Sequence, residues 1–557
     1  MVELSVIIPT YNRAARVRAC LETLAGQTLP ARDFEVIVVV DGSTDGTADM
    51  LARYSAPFPL HVHVQENGGQ AVARNRGLDL AAGQYCLFID DDIMADPGLV
   101  AEHLRVQQER QGVVGLGHLT CRLPPNADGF ARSIAAWWDD HYADLRGAGR
   151  VASFIDCFSG NLSAPRAALL QVGGFATDLP HSEDLELGYR LQQRGLAIVY
   201  IPDAIGDQAY DKRFREIVAD ASAEGFANVE LYRRHPPMLP LLLLGRFTDA
   251  GPHVVLPRRL LLALKFPMGL LQLMSLLLGR RSHARAWYSF VYDYAYWRAV
   301  RRAVPDRDTW RRLTRSPVIL MYHAFAEPGE SGSRYVVPAR SFARQMSWLK
   351  RRGYGVLRLE ELLRLRRDFR LPPADSVVIT LDDGYADNHA VAYPILQRHG
   401  FPATIFLVSG AVGTRNSWDR GEVLAGRSLL DWLAIHEMRR GSIDYGAHTR
   451  THRPLPDVPA DELDDEVAGS RADLERALGE PVVTFAYPYG RFDERSRTTV
   501  ERAGFHAACG VRNGMNSAGT PSDALHRTEV FGTDSLVRFA LAVWLGDPLR
   551  QVRWWGR

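Results

Sequence analysis

The stretch Tyr85-Cys86-Leu87-Phe88-Ile89-Asp90-Asp91-Asp92 joins an apolar run directly to three consecutive carboxylates. The apolar half predicts a buried strand, since short uncharged runs are typical of sheets that are covered on both faces. Adjacent carboxylates repel one another unless a cation or hydrogen-bond donors offset their charge. A divalent cation bridging to a diphosphate would do so, and a helix cap with solvated acids is the alternative.

Short β-branched runs and amphipathic helical segments alternate on either side of this stretch. Runs at residues 5–8, 35–40 and 60–65 precede it, with helical patterns at 14–24 and 71–82 between them. This alternation predicts an α/β domain with a Rossmann-like parallel sheet. Ligands of such sheets bind at the carboxyl ends of the strands, where polar clusters follow the apolar runs.

Composition limits the classes of function. The 557 residues predict more than one domain, and 66 Lys and Arg against 65 Asp and Glu give a net charge of +1. That balance offers no case for a nucleic-acid partner. Five cysteines without a Cys-x-x-Cys pair predict free thiols in a reducing compartment. The first residues run straight into a strand without a signal peptide, so we expect a cytoplasmic protein.

Further polar motifs follow in a fixed order along the first part of the chain. They are Pro9-Thr10-Tyr11-Asn12-Arg13, Asp41-Gly42-Ser43-Thr44-Asp45-Gly46, Ala73-Arg74-Asn75-Arg76-Gly77, Gly160-Asn161-Leu162-Ser163 and Glu183-Asp184-Leu185-Glu186. With the acidic triplet, they resemble the family-two inverting glycosyltransferases of the GT-A fold, over roughly residues 3–235.

The resemblance implies a role for each matching residue. Asp184 matches the catalytic base, which takes a proton from an acceptor hydroxyl; a helix-start acid paired with Arg190 is the alternative. The Asp-x-Asp motif implies that Asp90, Asp91 and Asp92 bind Mg²⁺ or Mn²⁺. The residues that match positions holding the nucleotide-sugar donor are Tyr11, Asp41, Arg74 and Asp90.

Three departures from the family pattern concern this region. Val40 replaces an acid that often precedes Asp41, and Asp207-Gln208 stands where a His is common. The Gln-x-x-Arg-Trp motif of processive members is missing, which favours transfer of one or a few sugars to a glycan or lipid-linked acceptor.

Residues 236–315 are apolar and basic and predict helices. The longest uncharged run, 266–279, is shorter than the about 18 residues that suggest a spanning helix. We expect helices in peripheral contact with the inner face of a membrane, and a buried interdomain helical core is the alternative.

A second strand–helix alternation begins near Pro317 and carries its own polar clusters. Asp382-Asp383-Gly384 ends an apolar strand, and His448 and His452 follow about sixty residues later. Two His at i and i+4 can project from one helical turn onto one ion. An Asp as third ligand leaves a coordination position open for water, as catalytic zinc sites do.

With Tyr322-His323 and Phe485-Ala486-Tyr487-Pro488-Tyr489-Gly490, these clusters resemble the polysaccharide deacetylases, carbohydrate esterase family four, over roughly residues 316–540. The family fold is an irregular (β/α) barrel. The resemblance implies that Asp383, His448 and His452 bind Zn²⁺ or a similar metal. It also implies that Asp382 is the general base and that the Tyr489 N–H stabilises the oxyanion.

Two assignments in this second region leave alternatives. His526 lies near the place of the family's proton-donating His, and a partly buried structural His is the alternative. Ala486 replaces an Arg that orients the base in many members, so another residue is needed for that task. His323 follows a strand and is left out of the ligand set.

The sequence thus predicts three segments. They are a transferase domain at 1–235, a helical linker at 236–315 and a deacetylase domain at 316–557. The predicted enzyme transfers a sugar, N-acetylglucosamine from its UDP donor, and removes an N-acetyl group with a divalent metal. The alternative is one catalytic domain beside a carbohydrate-binding module.

Overall fold

The computed structural model describes residues 2–147, 150–210, 212–278, 284–326, 333–419 and 424–546. The chain divides into two compact units. The first comprises Met1–Arg233 and Leu261–Ala303, and the second comprises Arg234–Leu260 and Val304–Arg557. The three segments predicted above remain a prediction, since the middle segment is divided between the units.

The first unit is built on an eight-stranded sheet with the order β3-β2-β1-β4-β7-β6-β8-β5. Strands β1 to β4 run parallel, whereas β7 is antiparallel to β4 and β6, and β5 is antiparallel to β8. Its strands are β1 (Leu4–Thr10), β2 (Phe34–Asp41), β3 (Leu60–Gln65), β4 (Tyr85–Ile89), β5 (Ile93–Ala95), β6 (Val113–Arg122), β7 (Asn161–Pro165) and β8 (Ala197–Ala209).

Helices cover this sheet and bury the apolar strands. Every residue of β1, β2 and β4 is buried, as expected for a sheet covered on both faces. The helices are α1 (Ala14–Leu24), α2 (Thr47–Ala52), α3 (Gln70–Leu80), α4 (Leu99–Glu109), α5 (Gly129–Arg146), α6 (Arg166–Gln171), α7 (Glu183–Gln193) and α8 (Phe214–Arg234). The predicted Rossmann-like, GT-A-type α/β domain is confirmed.

The middle of the chain is helical, as predicted. Its helices are α9 (Pro252–Ala263), α10 (Met268–Leu278), α11 (Ala284–Ala303) and α12 (Arg307–Thr314). In the first unit, Leu271 of α10 and Val291 of α11 pack with Phe130 and Ile217 in one buried cluster. No helix within the described ranges is both long and apolar enough to cross a membrane.

The second unit contains a curled, all-parallel sheet with the order β17-β16-β15-β14-β13-β9-β18, and β12 pairs with β13. It forms a half-barrel, in agreement with the predicted irregular barrel. Its strands, including the separate β10–β11 pair, are β9 (Val318–Tyr322), β10 (Ala324–Ala326), β11 (Val336–Pro338), β12 (Gly355–Leu357), β13 (Ser376–Leu381), β14 (Ala403–Leu407), β15 (Ile443–Ala447), β16 (Thr484–Ala486), β17 (Ala507–Cys509) and β18 (Thr528–Glu529).

Alternate residues of these strands serve two different cores, because strand side chains point to opposite faces in turn. Val377 and Ile379 pack in a large cluster with the covering helices, whereas Val378 faces a smaller cluster with Phe406. The helices are α13 (Ala339–Arg351), α14 (Leu359–Arg367), α15 (Tyr393–His399), α16 (Trp432–Arg440), α17 (Ser470–Leu478), α18 (Glu494–Arg502) and α19 (Leu536–Leu545).

Candidate active sites

The acidic triplet follows β4 at the carboxyl edge of the first sheet. Asp91 accepts hydrogen bonds from Thr10 Oγ1 at 2.8 Å and Arg13 Nη1 at 2.9 Å. The Asp92 carboxylate has weaker partners, with Arg13, Arg16 and Gln208 each at 3.4 Å. Burial, and then the charges of Asp90 and Asp91, raise the pKa of Asp92 to about 6.

These properties suit a hard divalent cation. The donor set is all oxygen, which Mg²⁺ and Mn²⁺ prefer. The pKa of Asp92 is raised by burial first and by the neighbouring carboxylates second, and a cation there would offset both costs of its negative charge. The role of the triplet as a metal site remains a prediction.

Arg74 connects the triplet to Glu183, the residue directly before the predicted base Asp184. Its side chain is 2% exposed, with Nη2 2.8 Å from Asp90 Oδ1 and Nη1 2.8 Å from Glu183 Oε1. Arg74 therefore bridges the end of β4 and the first turn of α7. Its predicted contact with a nucleotide phosphate remains a prediction.

Asp184 lies in the first turn of α7, after Ser182 in the left-handed region at φ 63°. One of its carboxylate oxygens accepts from the Ser159 N–H at 3.2 Å. Burial and the Glu183 carboxylate raise the pKa of Asp184 to about 6, against the opposing charge of Arg74. Arg190 pairs with Glu186, so the alternative Asp184–Arg190 pair does not form.

The remaining residues predicted to bind the nucleotide-sugar donor have contrasting surroundings. Tyr11 is 50% exposed and free to meet a ligand. Asp41 is buried, and its carboxylate accepts from Gln65 Nε2, Gly68 N and Gly69 N, each at 2.8 Å. Asp41 therefore also holds the turn that precedes α3.

In the second unit, Asp383, His448 and His452 converge. Their ligand atoms all lie within 4.8 Å of one another, and all three residues are buried. His448 Nδ1 donates to the Ala486 carbonyl at 2.7 Å, which leaves Nε2 as the lone-pair nitrogen. Asp383 Oδ1 lies 3.1 Å from His452 Nε2 and 3.4 Å from His448 Nε2, so the three candidate ligand atoms converge on one point. The group fits a divalent metal.

The local backbone of this group differs from the sequence expectation. β15 ends at Ala447, and the chain then follows a loop with Thr449 at φ 65° and His452 at φ 64°. The expectation of one helical turn carrying both His residues was therefore wrong. Asp383 and Tyr489 also have positive φ, at 70° and 57°. Such strained non-glycine residues cluster at functional sites.

The predicted base Asp382 is held by a residue that the sequence did not reveal. Arg527 donates from Nη1 to Asp382 Oδ1 at 2.6 Å and from Nη2 to Oδ2 at 2.8 Å. Burial raises the pKa of Asp382, but Arg527 and the nearby His448 outweigh it and hold the pKa below its usual value. Arg527 thus supplies the cation that is missing at Ala486.

His323 also faces this site, at the end of β9. Its Nδ1 lies 3.9 Å from Glu529 Oε1, and its charge contributes to the lowered pKa of Asp382. His323 is 18% exposed, so a ligand can reach it. Its sequence signals were its position directly after a strand and its place in the Tyr322-His323 cluster.

His526 is not brought into this group. Consecutive residues of an extended segment point to opposite sides. Arg527 points to Asp382, whereas His526 Nδ1 lies 3.3 Å from the Met515 carbonyl oxygen. This placement corresponds to the structural His that was the alternative, and its predicted role as acid stays untested.

Aromatic rings form one wall of the site. The Trp418 ring stacks on His452, with centroids 4.6 Å apart. The Tyr489 ring meets His452 edge-on at 4.7 Å and is 41% exposed. These rings fix the His452 imidazole and leave an open aromatic surface beside it.

Two family models match separate parts of the chain. Residues 5–163 match the family model "Glycosyl transferase family 2", and residues 370–508 match "Polysaccharide deacetylase". The chain carries a glycosyl transferase family 2 domain followed by a polysaccharide deacetylase domain.

Individual relatives cover one domain each. A Bacillus subtilis protein named as a polysaccharide deacetylase, YxkH, is 29% identical over 42% of this chain and 78% of its own. Validoxylamine A glucosyltransferase of Streptomyces hygroscopicus is 32% identical over 43% of this chain; the matched region spans 62% of that enzyme. Among solved structures, IcaB from Ammonifex degensii is 27% identical over 42% of this chain and 97% of its own, with a TM-score of 0.37.

Proposed function

We propose that this chain is a bifunctional glycan-synthesis enzyme. One domain transfers a sugar from a nucleotide-sugar donor to a glycan or lipid-linked acceptor with inversion. The other hydrolyses an N-acetyl group from an amino sugar. The observation that carries the proposal is the buried Asp383–His448–His452 group beside an Arg527-paired Asp382.

The deacetylase residues divide the work of amide hydrolysis. Asp382, kept ionised by Arg527, accepts a proton from the attacking water. The Tyr489 N–H donates to the carbonyl oxygen as it gains charge. We propose that His323, whose charge acts on Asp382, gives a proton to the leaving amine. A metal held by Asp383, His448 and His452 would polarise the carbonyl and acidify water.

The transferase residues suit a single displacement. Asp184 takes the proton of the acceptor hydroxyl as that oxygen attacks the anomeric carbon and the bond to the diphosphate breaks. Asp90, Asp91 and Asp92 would hold Mg²⁺ or Mn²⁺, which offsets the charge of the diphosphate. Tyr11, half exposed near this edge, is available to the nucleotide.

The two activities act on the same sugar if the transferred sugar carries an acetamide group: the transferase adds that sugar, and the deacetylase removes its acetyl group. This supports UDP-N-acetylglucosamine as donor, and a product that loses acetate. The site is expected in the cytoplasm, where nucleotide sugars are supplied, at the inner face of a membrane. One reason for the alternative, a non-catalytic carbohydrate-binding domain, was the absence of a base-orienting Arg at Ala486. Arg527 donates to the predicted base Asp382, which weakens that reason.

The test measures both reactions on the full chain with an Asp184→Asn variant. We expect sugar transfer from UDP-N-acetylglucosamine to be lost, while acetate release from N-acetylglucosamine oligomers continues and stops with a chelator. Acetate release that survives chelation would contradict the metal assignment. Loss of both reactions in a folded variant would contradict two independent sites.

A further inference from the structure

A cavity of about 610 Å³ lies at the amino edge of the sheet in the second unit. Pro317 and His506 line it, and they directly precede β9 and β17, respectively. The strands of this sheet are parallel, so Asp383 and His448, which follow the ends of β13 and β15, lie at the other edge. The cavity has a volume typical of small-molecule sites and is separate from the Asp383 group.

Much of the lining of this amino-edge cavity is leucine. Part of it comes from the segment before α9, which belongs to the same unit. The Ala518 N–H donates to the Gly245 carbonyl at 3.1 Å and so ties that segment to the loop before β18. The leucines of the lining are Leu239, Leu244, Leu313, Leu362, Leu363 and Leu371. A hydrocarbon group in the cavity would therefore leave water and contact apolar side chains.

The charged side chains in the lining are arginines. They are Arg312, Arg366, Arg367 and Arg370, and His506 adds an imidazole. Among the described residues that line the cavity, none is Asp or Glu. A cavity with walls of low dielectric and charge of one sign attracts ligands of the opposite sign. The lining therefore favours an anion.

Two of these arginines are available to a ligand. Arg367 and Arg370 are exposed, and neither forms an ion pair with a residue that the structure describes. Arg312, by contrast, pairs with Asp308 at 2.6 Å. Guanidinium groups donate parallel hydrogen bonds to phosphate and carboxylate oxygens. Arg367 and Arg370 can therefore bind an oxyanion without breaking an existing ion pair.

Arg366 carries a charge that only neutral groups surround closely. Its Nη1 donates to the Ser517 carbonyl at 2.6 Å and its Nη2 to the Thr520 carbonyl, whereas its buried Nε has no acceptor within the described ranges. Burial lowers the pKa of Arg366 to about 10, although the charge of Asp249 opposes the shift. An anion in the cavity would offset the cost of burying this guanidinium.

We propose that the amino-edge cavity binds an amphipathic oxyanion, a molecule with a phosphate or carboxylate head on a hydrocarbon chain. Arg366, Arg367 and Arg370 attract the head, and the leucines of the lining contact the chain. None of the residues assigned to either proposed activity lines the cavity, so this inference does not depend on those activities.

Binding is measured by calorimetry on the full chain. The probes are octyl phosphate, octanoate, inorganic phosphate and octyltrimethylammonium, which has the same chain and the opposite charge. We expect one of the two octyl anions to bind at least about tenfold more tightly than inorganic phosphate or the octyl cation, and the tighter one identifies the head. Equal affinity for the octyl cation would overturn the role of the arginines. Equal affinity for inorganic phosphate would overturn the role of the leucines, and no binding of either octyl anion would overturn the proposal.

Variants test the arginines directly. An R367A/R370A protein should lose about tenfold or more in affinity for the tighter octyl anion. R340A/R344A, which removes two exposed arginines of α13 outside the lining, is the matched control and should bind as the unchanged chain does. Equal affinity in the two double variants would overturn the proposal.

A second substitution changes the charge of the cavity without removing an arginine. Leu371 is partly exposed and precedes β13, so a polar residue is tolerated there. Leu371→Asp places a carboxylate in the lining and should bind the octyl anion about tenfold more weakly than Leu371→Asn, which has the same shape without the charge. Equal affinity of this pair would count against an anion in the cavity.

Two further measurements locate the binding site. Chelator-treated and zinc-loaded samples of the unchanged chain should bind the octyl anion equally, because the cavity and the Asp383 group lie at opposite edges of the sheet. Binding that requires the metal would place the anion at the deacetylase site and overturn the proposal. R213A/R215A, which alters a basic cavity in the first unit, should also bind normally, and loss of binding there would assign the anion to that unit.

Discussion

Arg527 and Asp382 form a buried two-point ion pair across 145 residues of sequence, with N–O distances of 2.6 and 2.8 Å. The arginine is fully buried and also donates from Nε to the Gly510 carbonyl at 2.8 Å. Two of these bonds hold the Asp382 carboxylate beside the Asp383 group, and the third fixes the guanidinium itself. This pair places the predicted base.

We expect Arg527→Met to lower kcat for acetate release about 100-fold or more, because Asp382 loses its orientation and its charge partner. Transfer activity should be unchanged. Stopped assays of both reactions, with zinc content measured on the same sample, provide the check. Arg527→Lys should recover part of the rate, since one charge returns without the two-point geometry. Full activity of the Met variant would rule out the positioning role.

His452→Ala should abolish metal binding and acetate release together, since one of three ligands is removed. Metal content by elemental analysis and acetate release are the two measurements. His389→Ala is the matched control, because His389 is a partly exposed His paired with Glu437 in the same unit. Equal metal content in both variants would remove His452 from the ligand set.

His323→Ala should reduce kcat for deacetylation by about 100-fold or more, the usual scale for a lost proton donor. His526→Ala should change it little, because its ring lies at the Met515 carbonyl rather than at Asp382. Steady-state kinetics on the two variants decide between them. The reverse order of effects would return the acid to His526.

Sugar transfer should fall as the pH drops below about 6, by about tenfold per pH unit. The base Asp184 acts only when ionised, and its pKa is raised to about 6, so it becomes protonated at a higher pH than an ordinary aspartate. A pH–rate profile of kcat/KM for transfer gives this limb. The Asp184→Asn variant should retain only a low transfer rate that does not fall further as the pH drops below about 6. A limb that persists in the variant would have another origin.

The sequence by itself determined both folds, and it predicted most of the residues proposed for both sites. Asp90 and Asp382 each follow an apolar run in a different unit. Within each parallel sheet, the carboxyl ends of the strands lie at one edge. Ordered motifs at such ends could therefore be assigned without coordinates. The same reasoning placed Asp383, His448 and His452 near one another, although the predicted helical turn is a loop.

Only the tertiary structure decided how the site residues are supported. Arg527 reaches Asp382 across 145 residues, and Arg74 reaches Glu183 across 109. His323 meets Glu529 only because β9 and β18 are neighbours in the sheet. Such pairs leave no periodic or spacing signal in the sequence. Their residues are far apart in the chain and come together only when the strands pack into the sheet. His526 and Arg527 show the same limit, since the alternation of side chains along the extended segment before β18 decided which of the two points into the site.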